Sequence, residues 1–559
     1  MRIKEFYLSD SQTLTDVSID SLLRVFTVPE NAEATLNQVD RELSLDIAAF
    51  LNARVVATEK DLAEIEAEFA SAVIPEEPVR VTHHVDNLME KLVAHSVNTY
   101  APGFIGHMTS ALPYFMLPLS KIMVALNQNV VKTETSKAFT PMERQVLGMM
   151  HRLVFARSKA FYRHWLHHTD GQLGAMCSGG TVANITALWV ARNRCYGPKP
   201  GFAGIAKAGW SQALAAYGDC GAVVLVSERG HYSLSKAADV LGIGRDNIRS
   251  VPCTDSGSID IQQLSDIIAS CHGRGERVIS LVAVAGSTET GCIDALDEMA
   301  VIAEREGIWL HVDAAWGGPA LFSDKHRSLL KGIERADSVT IDAHKQMYVP
   351  MGVGMVLFRD PESQSSIRHH ANYIIRQGSK DLGSSTLEGS RPAMSMLVHA
   401  GLHIFGRRGY GLLVENNIQR CKHFSTLIDM AADFELVSAP VLNILTYRYV
   451  PAPLQRWLEC PENAASELSA RVELLLNQAT QILQRAQRER GQYFVSRTSL
   501  PHARQRGLLK TVFRVVLANP LTTDEILTAI LQEQRELAAG SAVKVLWQEI
   551  EQLTGLALI

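Results

Sequence analysis

The segment DSVTIDAHK closes an apolar run on Lys345, and HVDAAWGG places Asp313 at the end of another; both runs have the length and β-branched content of buried strands. Side by side, the carboxyl ends of two such strands would bring an amine and a carboxylate together. A lysine amine can condense with an aldehyde. A carboxylate within about 4–6 Å of a heterocyclic nitrogen favours its protonated form by roughly one to three pKa units. Taken singly, each residue also has a plain structural reading, because a strand-end aspartate caps turns and a lysine is usually solvated.

Further anchors extend that chemistry. In CSGGTVANITALWVARNR, Cys177 to Gly180 form a tight turn, and Thr181 onward has helical apolar spacing through Val182, Ile185 and Trp189. Free backbone N–H groups at such a helix start, with the dipole and the Thr181 hydroxyl, suit a phosphate, although the same motif is often only a cap. It lacks the G-K-[ST] of a P-loop and the G-x-G-x-x-G of a dinucleotide fold. His231 in SERGHYSLSKAADVLG follows a strand and precedes a helix. It can stack on an aromatic cofactor and pass protons, or be a hydrogen-bonded, partly buried histidine. Thr288, in VAVAGSTETG, can reach a phenolic oxygen or simply form a turn. Amine, carboxylate, phosphate cup and imidazole together fit pyridoxal 5'-phosphate, whose aldehyde needs a lysine and whose ring nitrogen needs a proton.

The elements that must position these groups form an α/β pattern. From the N-terminus to residue 115 the chain reads as a helical arm (SLDIAAFLNARVV, EKDLAEIEAEFASAV, VDNLMEKLVAHSV). Residues 116–395 alternate β-rich and helical runs, which predicts a mostly parallel central sheet with helices on both faces and a site at strand carboxyl ends. Residues 396–559 read as a smaller α+β domain, opening on one long helix, MSMLVHAG to DMAA, with a surface loop expected at VPAPLQRWLECPENAAS. The 559 residues, 47% hydrophobic and 20% charged with a net charge of -5, are ordinary globular composition without a basic field, so no nucleic-acid partner is expected. The eight cysteines show no zinc or disulfide spacing, so no metal is expected. The charged opening MRIKEFYLSDSQTLTD and the shortness of every apolar run predict a cytoplasmic protein with no membrane contact.

SGGTVAN, the His231 segment, AGSTETG, HVDAAWGG and DAHK stand in the order and at the separations of the pyridoxal-phosphate-dependent group II amino-acid decarboxylases, which the chain resembles over roughly residues 90–400. The resemblance implies a fold-type I homodimer with active sites near the subunit interface. It also implies Lys345 as the cofactor lysine, His344 as a phosphate contact, Asp313 as the pyridinium partner, Ala315 and His231 against the two ring faces, Gly180 and Thr181 at the phosphate, and Thr288 near the ring. Tyr373, in HHANYIIRQGS, matches the family's mobile-loop tyrosine that protonates the substrate carbon; Gly103, Phe104 and His107 match its substrate-entrance segment. Asp342 and Ala343 depart from the family's frequent Asn-Pro, and Gln346 replaces a usual tryptophan or methionine. These variants, with FIGHMTSALP and LEGSRPAMS, look most like the branch that converts aspartate to β-alanine for pantothenate, with glutamate and cysteine sulfinate as the next substrates. An acidic substrate needs a cation for its side chain, and Arg391 is the candidate, with a structural ion pair as its other reading.

Overall fold

The computed structural model describes residues 34–369, 378–463, 466–502, 505 and 507–558. The chain divides into two compact units. One comprises Met1–His107, Tyr449–Arg497 and Leu521–Ile559; the other comprises Met108–Arg448 and Thr498–Pro520. This grouping cuts across the three consecutive segments expected from the sequence (1–115, 116–395, 396–559), because strand pairing joins stretches that are far apart in the chain.

The second unit is built on seven strands: β1 (Gly174–Cys177), β2 (Gly221–Ser227), β3 (Ile248–Val251), β4 (Glu276–Val284), β5 (Trp309–Asp313), β6 (Ser338–Asp342) and β7 (Gly354–Phe358). Their spatial order is β1-β7-β6-β5-β4-β2-β3. β3, β2, β4, β5 and β6 pair in parallel, and β7 runs antiparallel between β6 and β1. β1 is thereby returned to the direction of the parallel set, so the carboxyl ends of β1, β2, β4, β5 and β6 share one edge.

The strands are apolar on both faces, as a fully covered parallel sheet requires. Along β2, Val223 and Leu225 join one core with Leu281, Leu310, Val339 and residues of the Phe139–Phe155 and Leu296–Glu306 helices. Ala222, Val224 and Val226 join another with Ile185 and Leu188 of the Gly180–Cys195 helix and Leu234 of the Ser233–Val240 helix. Helices therefore cover both faces, in agreement with the expected fold class. A further sheet, ordered β10-β11-β9-β8, comprises β8 (Phe434–Ser438), β9 (Ile444–Tyr449), β10 (Ser496–Pro501) and β11 (Leu509–Val516). No helix among the described residues is long and apolar enough to cross a membrane.

Two local expectations need correction. The single long helix after residue 395 is two, Ser395–Ile404 and Gly406–Asp429, broken where Gly406 adopts a positive φ of 62°. The VPAPLQRWLE stretch is not a surface loop at its start: Ala452–Glu459 is a helix whose proline sits in the first turn, where its missing N–H costs nothing.

Candidate active site

At the shared edge lies a cavity of about 360 Å³ whose wall includes Gly180, Thr181, His231, Thr288, Asp313, Ala315, His344 and Lys345. Every residue expected to contact the cofactor is therefore brought to one place, by the ends of five strands (β1, β2, β4, β5 and β6) or the turns after them. The volume lies in the range of about 300–1,000 Å³ usual for small-molecule sites.

Lys345 follows the end of β6 by three residues, and its Nζ lies 3.0 Å from Asp342 Oδ2. His344 donates from Nδ1 to the Val353 carbonyl at 2.8 Å. Close packing fixes this corner: a Cβ on Gly180 would stand 2.7 Å from Asp342 Oδ2, and one on Gly354 would meet Asp342 and Gly179. Gly180 and Gly354 therefore have to be glycine for the start of the Gly180–Cys195 helix to pack against Asp342 and β7. The Ser178 N–H, one step earlier, donates to Glu388 Oε2 at 3.0 Å.

Asp313 is nearly buried and is oriented by a chain of donors that the sequence reading did not anticipate. The Trp309 indole N–H donates to Ser338 Oγ (2.9 Å), whose hydroxyl serves His311 Nδ1 (2.9 Å). His311 Nε2 then donates to Asn184 Oδ1 (3.1 Å), and Asn184 Nδ2 donates to Asp313 Oδ2 (2.8 Å). The other Asp313 oxygen accepts the Ala315 N–H at 3.2 Å. The second Asn184 proton goes to Ser233 Oγ (3.0 Å), and the Ser233 hydroxyl faces His231 Nδ1 (2.9 Å). With Nδ1 accepting, neutral His231 carries its proton on Nε2. Burial pushes the His231 pKa down, with Asp313 opposing in part. Asn184 was legible in principle: it stands one helical turn after Gly180, inside the quoted SGGTVAN.

Thr288 sits on a loop closed by Asp294, whose carboxylate accepts the Val284 N–H (2.7 Å) and the Ile259 N–H (2.8 Å). Arg514 Nε donates to the Thr288 carbonyl at 2.6 Å. Arg391 is not on the cavity wall. It forms the structural ion pair that was its other reading, with NH1 2.9 Å from Glu143 Oε2 and both side chains largely buried. Gly103, Phe104 and His107 belong to the other unit. There Phe104 is buried and stacks on Phe494 with centroids 5.2 Å apart, Gly103 packs under Tyr493, and His107 is exposed. Tyr373 lies outside the described residues. Arg229 and Tyr232, which the sequence reading passed over, do line the cavity.

The buried histidines give one testable consequence. Burial pushes His311 and His151 from the ordinary 6.5 down to about 4. Between those values the unfolded chain binds protons that the fold refuses, so stability is full above about 6.5, falls as pH drops towards 4, and levels off below it. Thermal unfolding of the cofactor-free protein at stepped pH should show this fall; a melting temperature flat across the window would contradict it.

A lysine amine, a carboxylate, a helix N-terminus and an imidazole line one cavity at a parallel sheet's carboxyl edge, groups whose chemistry fits pyridoxal 5'-phosphate. The chain belongs to the pyridoxal-dependent decarboxylase family, whose conserved domain matches residues 67–450. It is thus a pyridoxal-phosphate-dependent amino-acid decarboxylase. Among curated relatives, it is 53% identical to the aspartate 1-decarboxylase of Aliivibrio fischeri over 96% of this chain and 98% of that one. It is 30% identical to the human acidic amino acid decarboxylase GADL1 over 68% of this chain and 70% of that one. Among solved structures, mouse CSAD in apo form superposes with a TM-score of 0.76 at 24% identity, covering 89% of this chain and 99% of that one, which supports the shared fold.

Proposed function

We propose that the enzyme removes the α-carboxylate of L-aspartate, releasing carbon dioxide and β-alanine, a pantothenate precursor. The observation that carries this reading is the 53% identity to an aspartate 1-decarboxylase across nearly the whole of both chains. Bound in the cavity, pyridoxal 5'-phosphate supplies an electron-withdrawing ring for the electrons of the broken bond.

The chain's own residues do the rest. Lys345 would hold the cofactor through its aldehyde, with Asp342 beside the amine at 3.0 Å. Asp313 keeps the ring nitrogen protonated, held in register by Asn184 and the Ala315 N–H. Gly180, Thr181 and His344 would hold the phosphate, Ala315 and His231 would flank the ring, and Thr288 would face its phenolic oxygen, all from the walls of one cavity. A proton must then reach Cα. His231 Nε2 or the Tyr373 hydroxyl is its source, and delivery there rather than to the cofactor separates decarboxylation from transamination.

The working unit in this proposal is a cytoplasmic homodimer. Leu117, Ile122, Val124 and Leu126 of the Met116–Leu126 helix, with nearby Tyr114, are exposed apolar side chains that a second copy would cover. Sedimentation of the holoenzyme should give twice the chain mass, and a monomer would refute that part.

Incubation with each acidic amino acid and identification of the amine tests the activity. β-Alanine from aspartate supports it. γ-Aminobutyrate from glutamate, or hypotaurine from cysteine sulfinate, as the dominant product would replace aspartate, a choice that the similarity to an acidic amino acid decarboxylase keeps in the comparison.

A further inference from the structure

An acidic substrate carries a second carboxylate that survives the reaction and must be held within the cavity. It needs a cation there, since a buried carboxylate without one is strongly disfavoured. Most cationic groups at the site are already engaged. Lys345 faces Asp342 and serves the cofactor, and His344 donates to the Val353 carbonyl. His231 is turned to Ser233 and is disfavoured as a cation by burial, and Arg391 is bound to Glu143 away from the cavity wall.

Arg229 remains. Among the described residues lining the cavity it is the one guanidinium, and its Nε is enclosed with no hydrogen-bond partner. Its backbone is held firmly: the Arg229 N–H donates to Ser227 Oγ (3.2 Å), and the Gly230 N–H donates to the Ser227 carbonyl (2.7 Å). A Cβ on Gly230 would stand 2.5 Å from Val226 Cγ2, so the turn cannot readily be reshaped. The same turn carries His231, and both side chains line the cavity. The planar fork of the Arg229 guanidinium matches a carboxylate with two parallel hydrogen bonds.

We infer that Arg229 is the specificity-determining residue that binds the side-chain carboxylate of the acidic substrate. This rests on the reading of the enzyme as an acidic amino-acid decarboxylase.

The test compares wild type with Arg229→Gln and Arg229→Lys. It reads cofactor affinity by titration of the visible absorbance, KM and kcat for aspartate, and inhibition by succinate, a dicarboxylate without an amino group. Arg229→Gln is expected to keep its cofactor affinity, to raise KM for aspartate roughly tenfold or more with a smaller change in kcat, and to weaken succinate inhibition similarly, as loss of a charged hydrogen-bond pair predicts. Arg229→Lys should recover part of the loss. Unchanged KM and succinate inhibition in Arg229→Gln would overturn the assignment, as would a selective loss of cofactor affinity, which would make Arg229 a phosphate ligand. Wild type that releases no carbon dioxide from any acidic amino acid would overturn the underlying reading instead.

Discussion

Lys345→Ala is expected to bind the cofactor without attaching it and to lose turnover by at least about a thousandfold, because a tethered group is replaced by one that must be captured from solution. The amine projects from the turn just after β6, 3.0 Å from Asp342, and no neighbouring lysine lines the cavity among the described residues to replace it. The fold should survive, since the side chain is partly exposed and its removal leaves room that water can fill. The visible absorbance of the lysine-bound cofactor should vanish from the purified variant, while its far-ultraviolet circular dichroism stays that of wild type. A yellow, active Lys345→Ala enzyme would be incompatible with the proposed site.

Asp313→Asn is expected to have the second-largest effect. It removes the charge and keeps the shape, so the variant should still attach the cofactor through Lys345. Loss of an opposite charge beside the ring nitrogen lowers that nitrogen's pKa by roughly one to three units, and turnover near neutrality should fall roughly ten- to a thousandfold. Geometry adds to this. Both Asp313 oxygens accept, one from Asn184 and one from the Ala315 N–H, and an amide can offer an acceptor to only one of those donors. The donor chain from Trp309 through Ser338 and neutral His311 ends on this carboxylate, so the amide would turn one N–H against a donor. Steady-state kcat with the absorbance spectrum checks it; wild-type kcat in Asp313→Asn would mean that the carboxylate does not govern the ring.

Strand ends were the most legible part of the molecule. β2, β4, β5, β6 and β7 stand in the sequence as short apolar runs bounded by turn residues, and the parallel pairing of β2, β4, β5 and β6 forces the residues after those four to one edge. Lys345, Asp313, His231 and Thr288 follow from that rule together with chemistry. β1 did not stand out, because four residues are too few to show a period.

Side-chain partnerships across long separations were not legible. Arg391 looks like a free cation in sequence, but Glu143, 248 residues earlier, claims it. Asn184 looks like an ordinary helix residue until β5 brings His311 and Asp313 against it. The division into units was hidden for the same reason: β11 rejoins β9 across the long Glu467–Arg490 helix. Pro453 misled because a proline marks a helix start as readily as a loop, and only the chain's course after it decides.

The most direct measurement is to reduce the holoenzyme with borohydride, digest it, and locate the pyridoxyl group by mass spectrometry. The site described here predicts the group on the peptide containing DAHKQ, at Lys345. A label on any other lysine, or none under conditions where the untreated enzyme is active, would contradict it.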